Sequence, residues 1–311
     1  MKHLVLHVGA HKTGTTLVQK ALRANREAIA RRGYDVLIRN DFDDLTEGYH
    51  TRWRRRGARL GNVTRAFEMV RDAATHESLV ISHEDILASV HSFRTGPLYG
   101  PADSVLRIAH DVLQPERTTV LLYVRRQDRF VESSYLQTVR VGSTKSFPEF
   151  MEPVIPENLR WDHLVEKIKA SIPAGSEVRV NYFEGIKELH TRPFVREFFQ
   201  QTGLDVAPKF SFDTEAVNRG YSDSALKLAL VGNAELEVED RRKLRLFLDA
   251  NFSNVTHRSP LLLTTEQREE MLTALAPSNK ALHELVTSGL TEGAADLAVN
   301  RGESPYLPGG K

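Results

Sequence analysis

Residues 4–17, Leu4-Val5-Leu6-His7-Val8-Gly9-Ala10-His11-Lys12-Thr13-Gly14-Thr15-Thr16-Leu17, constrain this chain more than any other stretch. An apolar run ends in a turn with two glycines, and a helical pattern opens at the hydroxyl pair. Two glycines let the backbone curl until several N–H groups point into one concavity. The helix that follows adds about half a positive charge at its N-terminus, so the turn suits a phosphate or a sulfate. The triphosphatase loop G-x-x-x-x-G-K-[ST] has the same glycine separation as Gly9 and Gly14, but Thr15 stands where that pattern carries its lysine. The lysine lies inside the loop, at Lys12, from where it would reach a different atom: the oxygen that bridges a nucleotide phosphate to a group being transferred. Thr15 and Thr16 supply hydroxyl donors.

The rest of the chain fits a fold that begins this way. Strands are predicted at His3–Val8, Asp35–Ile38, Leu79–Ser82, Thr119–Val124 and Glu177–Tyr182. Amphipathic stretches at Leu17–Arg31, Gly61–Thr75, Ala102–Leu113 and Asp128–Val141 alternate with them. That alternation is the signature of βαβ units and of a mostly parallel sheet covered on both faces. After Phe210 no strand is predicted, and Ser222–Asn251 and Thr264–Ser288 read as helices, the second opened by a capping sequence, Thr264-Thr265-Glu266-Gln267. The expectation is one three-layer α/β/α domain over 1–311. Its α/β core covers about 1–210, a helical C-terminal part about 211–300, and a loose tail rich in Pro and Gly 301–311.

Composition narrows the function. Forty-two Lys and Arg stand against 41 Asp and Glu, a net charge of +1, so no global field favours nucleic acid. The absence of cysteine removes disulfides, thiolate metal sites and a Cys nucleophile. No stretch has the length and apolarity of a transmembrane segment or a secretory leader, and a cytoplasmic location is expected.

A second segment complements the loop. In Thr119–Tyr135 an apolar strand ends at Arg125-Arg126, and the next helix brings Ser133 eight residues after Arg125. An arginine fork at a strand end and a short hydroxyl in the following helix can close on one phosphomonoester from two sides. Ligands of open α/β sheets bind beyond the carboxyl ends of the strands, which puts both segments on one rim. Ile81-Ser82-His83-Glu84-Asp85 ends the third strand on that rim with a carboxylate, Glu84, as the first candidate base; His83 and His11 are its rivals, and Asp85 is expected to cap the next helix. The arginine run Arg52–Arg59, with Trp53 inside it and Tyr49 nearby, reads either as a solvated face or as a site for an anionic group.

Lys12-Thr13-Gly14-Thr15-Thr16 after the first strand, with Arg125, Ser133 and Tyr135 after the fourth, resembles the sulfotransferases that use 3′-phosphoadenosine 5′-phosphosulfate (PAPS), in particular bacterial carbohydrate-type members. Gln127 departs from the proline often found two residues after that arginine. The resemblance implies a P-loop-type fold and transfer of a sulfuryl group from PAPS to an acceptor hydroxyl, on a glycan or glycolipid, with 3′,5′-bisphosphoadenosine as product and no metal required. It implies that His11, Lys12, Thr13, Gly14, Thr15 and Thr16 hold the 5′-phosphosulfate, and that Arg125 and Ser133, with Arg219 and Gly220 of Asn218-Arg219-Gly220, hold the 3′-phosphate. Lys12, Glu84 and His83 are the implied catalytic set. A nucleotide-dependent kinase with a divergent loop and a non-catalytic nucleotide-binding protein remain the alternatives. Magnesium-dependent ATP turnover would mark the first, and tight binding without transfer the second.

Overall fold

The computed structural model describes residues 1–48, 60–185, 190–204, 206–211, 220–287 and 306. Its centre is a five-stranded parallel sheet of β1 (His3–His7), β2 (Tyr34–Ile38), β3 (Ser78–Ser82), β4 (Arg117–Val124) and β5 (Glu177–Tyr182), in the order β2-β3-β1-β4-β5. The helices of the described residues, in chain order, are α1 (Thr15–Ala24), α2 (Arg26–Ala30), α3 (Arg39–Leu45), α4 (Leu60–Ala73), α5 (Ala102–Leu113), α6 (Gln127–Arg140), α7 (Phe147–Met151), α8 (Trp161–Lys169), α9 (Thr191–Thr202), α10 (Asp223–Glu235), α11 (Val238–Asn251) and α12 (Thr265–Thr287).

Both faces of the sheet are covered, and the strands show why. Successive side chains point to opposite faces. Leu4 and Leu6 of β1 and Val120, Leu122 and Val124 of β4 enter one core with Phe67, Leu106, Phe130 and Trp161 from α4, α5, α6 and α8. Val5, Leu121 and Tyr123 enter the other with Val18 and Leu22 of α1 and Phe194, Phe198 and Phe199 of α9. β1 and β4 are therefore buried almost throughout, around the apolar runs Leu4–Leu6 and Val120–Val124, the pattern of strands covered on both sides. The result is the three-layer α/β/α arrangement expected from the sequence.

All five predicted strands are present. Two predicted helices are each broken in two. The stretch from Leu17 to Arg31 is interrupted at Asn25, whose amide caps Ala21 O at 2.8 Å and also exchanges hydrogen bonds with the Lys209 backbone at 2.7 and 3.0 Å. The stretch from Ser222 to Asn251 turns at Leu236 and Glu237, both extended, giving the hairpin of α10 and α11. The capping sequence before α12 behaves as read. Gln267 N–H donates to Thr264 Oγ1 at 3.2 Å, and Thr264 N–H donates to Gln267 Oε1 at 3.0 Å. Of the expected tail only Tyr306 is described. It is fully buried, packs edge-on against Tyr182, and donates its hydroxyl to Glu184 Oε2 at 2.7 Å, so this residue is not loose.

The order of strands fixes where a ligand can go. The chain steps from β1 to the β3 side and later crosses to β4, so the switch point lies between β1 and β4. Beyond β1, Val8 N–H and Ala10 N–H still donate to Leu121 O and Tyr123 O, at 3.0 and 2.6 Å, and Tyr123 N–H donates to Gly9 O at 2.7 Å. The glycine turn is thereby laid along the end of β4 before it bends into α1.

Candidate active site

The turn between β1 and α1 holds a curled backbone. Gly9, Lys12 and Gly14 all have positive φ, at 91, 64 and 82°. For Gly9 and Gly14 that conformation costs little, whereas Lys12 adopts a left-handed geometry that L side chains rarely take, which aims its side chain away from the course of the following helix. Gly9 has a second reason to lack a side chain, because a Cβ there would sit 3.1 Å from Glu84 Cβ. The loop after β3 thus packs directly on the glycine turn. At the other end Gly14 precedes α1, whose first turn has no acidic residue and no capping side chain. Its N-terminal dipole is left uncompensated by the protein, the condition for an exogenous anion. Thr13 is buried and donates its hydroxyl to Ala10 O at 2.5 Å, bracing the loop; Thr15 is buried and Thr16 exposed.

Lys12 Nζ donates to Gln137 Oε1 of α6 at 3.2 Å. Its pKa is lowered to about 8, first by burial and then by the charges of Arg140 and Arg125, with Glu84 and Asp249 pulling the other way. Ser133, Gln137 and Arg140 recur at i, i+4 and i+7 on α6, so they share the stripe that faces the loop.

Arg125 leaves β4 toward the same loop. Its Nη1 donates to Lys12 O at 3.1 Å, and its guanidinium lies over the Phe183 ring, 5.3 Å from the centroid. Burial pulls its pKa down against the opposing charge of Glu184. Trp161, fully buried, donates its indole N–H to Arg125 O at 2.9 Å and fixes the strand end. Arg126 has a different job. It grips the fully buried Asp128 through two hydrogen bonds, at 2.8 and 3.0 Å, and Asp128 is also bound by Arg268 of α12. The arginine pair therefore splits, one guanidinium turned to the loop and one anchoring the C-terminal helix.

The segment after β3 contributes a charged network. Glu84 accepts from Arg39 Nη1 at 2.8 Å and from Gln19 Nε2 at 2.9 Å. Asp85 binds Arg39 Nη2 at 2.8 Å through one oxygen and His11 Nε2 at 2.7 Å through the other. Asp85 lies in a turn and no helix begins at it, so the expected cap is replaced by this buried pairing. The hydroxyl of Tyr99 accepts from His11 N–H at 3.0 Å and lies 2.8 Å from His11 Nδ1, while His11 Nε2 faces Asp85. Tyr99 also stacks on Trp161, tying this network to the Arg125 strand end.

The three candidate bases differ in what they leave open. His83 is fully buried; its Nδ1 accepts from Asp85 N–H at 3.1 Å and its Nε2 faces Asp43 Oδ1 at 3.3 Å. His11 is buried with both ring nitrogens engaged. A ring nitrogen offers one site, whereas a carboxylate offers about four lone-pair positions. Glu84 alone of the three is only partly buried, and its two partners leave acceptor capacity. Burial pushes its pKa up, but its own backbone N–H and the charge of Arg39 hold it below the usual carboxylate range. Glu84 is therefore ionised at neutral pH.

Gly220 exchanges hydrogen bonds with Asn254 at 2.9 Å in both directions. Arg219 and the run Arg52–Arg59, with Tyr49 and Trp53, lie outside the described residues. Sequence reasoning missed Arg39, Gln137, Gln19 and Tyr99. Only Arg39, at the end of β2 on the same rim, carried a signal by position. Among the described residues no group of three or more His, Asp or Glu is placed to hold a metal ion, and no helix is long and apolar enough to cross a membrane.

No family model matches the chain, and no curated protein matches it. A solved sulfotransferase from Alicyclobacillus acidocaldarius is similar in fold, with a TM-score of 0.47 and 14% sequence identity over 91% of this chain and 94% of that one.

Proposed function

We propose that this chain is a PAPS-dependent sulfotransferase that moves a sulfuryl group to an acceptor hydroxyl, on a glycan or glycolipid. The observation that carries the reading is the meeting of three groups at one turn. Lys12 is turned inward, the uncapped start of α1 faces the same loop, and the carboxylate-bearing loop of Glu84 packs on Gly9. A binding loop needs the first two; the carboxylate is the group that a transfer reaction adds.

The residues fit the donor. The curled loop and the α1 N-terminus suit its 5′-phosphate, with Thr15 and Thr16 at the helix start. Arg125 spends one donor on Lys12 O and finds no other hydrogen-bond partner among the described residues, so its fork is available to the 3′-phosphate, with Ser133 on the facing stripe of α6. When bound, PAPS supplies an activated sulfuryl group. Lys12 holds its proton and charge beside the oxygen on which negative charge develops, Gln137 steers that ammonium, and Glu84 accepts the proton of the acceptor hydroxyl. Arg39 and Gln19 hold the carboxylate in place, and the His11–Asp85 pair fixes Arg39 in turn. His11 and His83 act by positioning.

Arg125→Ala tests the 3′-phosphate assignment. Its loss is expected to weaken 3′,5′-bisphosphoadenosine by about tenfold to a hundredfold, the worth of one or two charge-assisted hydrogen bonds, and AMP far less. Calorimetric titration of both ligands reads the difference; equal losses would remove Arg125 from that role.

Lys12 also sets a pH dependence. The pKa of free Lys12 is lowered to about 8, and a bound phosphate raises it. Below pH 8 the lysine is charged before binding, so affinity is flat; above it, binding must take up a proton. Affinity for the bisphosphate is therefore expected to fall as pH rises past 8, by at most about tenfold per unit. The slope should vanish in Lys12→Met, and a wild-type affinity unchanged to pH 9.5 would contradict the assignment.

A further inference from the structure

The hairpin of α10 and α11 packs against the C-terminal end of α6. Asn233 Nδ2 donates to Val139 O at 2.7 Å and to Ser143 O at 2.8 Å, and Arg140 pairs with Asp249 at 2.5 Å. Between these contacts the helices leave a cavity of about 320 Å³, lined among others by Arg140, Tyr221, Glu239, Arg241, Arg242 and Arg245. That is at the small end of ligand sites, which run from about 300 to 1,000 Å³.

Its charge is not balanced from within. Arg241 and Arg245 stand one turn apart on α11, a spacing at which like charges repel, with Arg242 beside them. Among the described residues none of the three has a carboxylate within ion-pair distance, and Arg241 Nε is sealed from solvent with no hydrogen-bond partner. Setting Glu239 and Asp249 against the four guanidiniums leaves two positive charges in excess. Tyr221 is nearly buried, and burial followed by the charge of Asp249 raises its pKa to about 12, so its hydroxyl stays a donor.

The cavity adjoins the transfer site. Arg140 lies one turn beyond Gln137, the partner of Lys12 Nζ, and both Arg140 and Asp249 act electrostatically on Lys12. Arg140 itself is about 4.5 Å farther along the α6 axis than Gln137, the residue that steers the lysine. Guanidiniums in this density suit planar or tetrahedral oxyanions, which they bind with charge-assisted forks.

We infer that this cavity seats an anionic substituent of the acceptor, a carboxylate or a sulfate ester, so that the acceptor is an acidic rather than a neutral sugar. The inference rests on the sulfotransferase reading for the word acceptor, but the cavity's anion preference can be measured without it. Three probes suffice: a glucuronate-containing disaccharide, N-acetylglucosamine 6-sulfate and neutral chitobiose, each titrated with and without 3′,5′-bisphosphoadenosine. The wild-type chain is expected to bind one of the acidic sugars at least about tenfold more tightly than chitobiose, and Arg241→Gln/Arg245→Gln is expected to lose that preference while its affinity for the bisphosphate is unchanged. The acidic sugar that binds tells carboxylate from sulfate ester. The exposed Arg242→Gln provides a milder variant, expected to lose part of the preference, should the double substitution unfold the hairpin. Equal binding of chitobiose, no binding of either acidic sugar, or an undiminished preference in the double variant would each overturn the inference. If the acidic sugar binds through these arginines but the bisphosphate does not bind at all, the anion site stands and the sulfotransferase reading falls.

Discussion

Lys12→Ala is expected to lower turnover by about 10²–10³-fold, the usual cost of removing one preorganised donor from the place where negative charge develops. The expectation follows from position. The ammonium is carried on a left-handed residue inside the loop, held by Gln137, and kept partly out of water, where its interaction with charge on the leaving oxygen is little screened. The fold should tolerate the change, because the side chain makes one hydrogen bond, to a neutral partner, and its removal relieves repulsion from Arg125 and Arg140. Turnover measured with PAPS and a panel of sugar acceptors, beside the thermal midpoint of each protein, checks it. Full activity in a folded Lys12→Ala would take the lysine out of the reaction.

Glu84→Gln is expected to cost about 10²–10⁴ in turnover while leaving the affinity for 3′,5′-bisphosphoadenosine nearly unchanged. Glutamine keeps the shape and can still accept from Arg39, but it cannot take a proton. The low pKa of Glu84 adds a second signature. The base is ionised across the neutral range and is lost only as pH falls through that depressed value, so the acidic limb of the pH–rate profile should lie below the ordinary carboxylate range near 4.3. In Glu84→Gln that limb should disappear. An acidic limb near pH 6.5 that survives in the glutamine variant would hand the role to a histidine.

The parts of this molecule that were legible in the sequence are those set by local pattern. β1 and β4 announce themselves as apolar runs because both faces of each strand are buried, and the glycine turn announces itself because Gly9 and Gly14 do require positive φ. The splitting of helices was not legible. Asn25 ends α1 through the backbone of Lys209, 184 residues away, a contact that no local propensity encodes. The same limit applies to the site. Glu84 was picked by its place after a strand, but what holds its pKa down is its own backbone N–H and Arg39, which arrives from the end of β2. Asp85 reads as a cap by residue type and becomes a pairing residue only because His11 and Arg39 arrive beside it. Arg125 and Arg126 look equivalent in sequence; Asp128, two residues on, claims one and leaves the other to the loop.

The central claim is that this rim reads the two phosphates of a 3′,5′-bisphosphate. The most direct test is calorimetric titration of the purified chain with 3′,5′-bisphosphoadenosine, AMP and ATP in parallel, without added metal. The bisphosphate is expected to bind at least about tenfold more tightly than either competitor, because only it engages both the α1 N-terminus and Arg125. Preference for ATP, strengthened by Mg²⁺, would contradict the claim and make the chain a kinase-like nucleotide-binding protein.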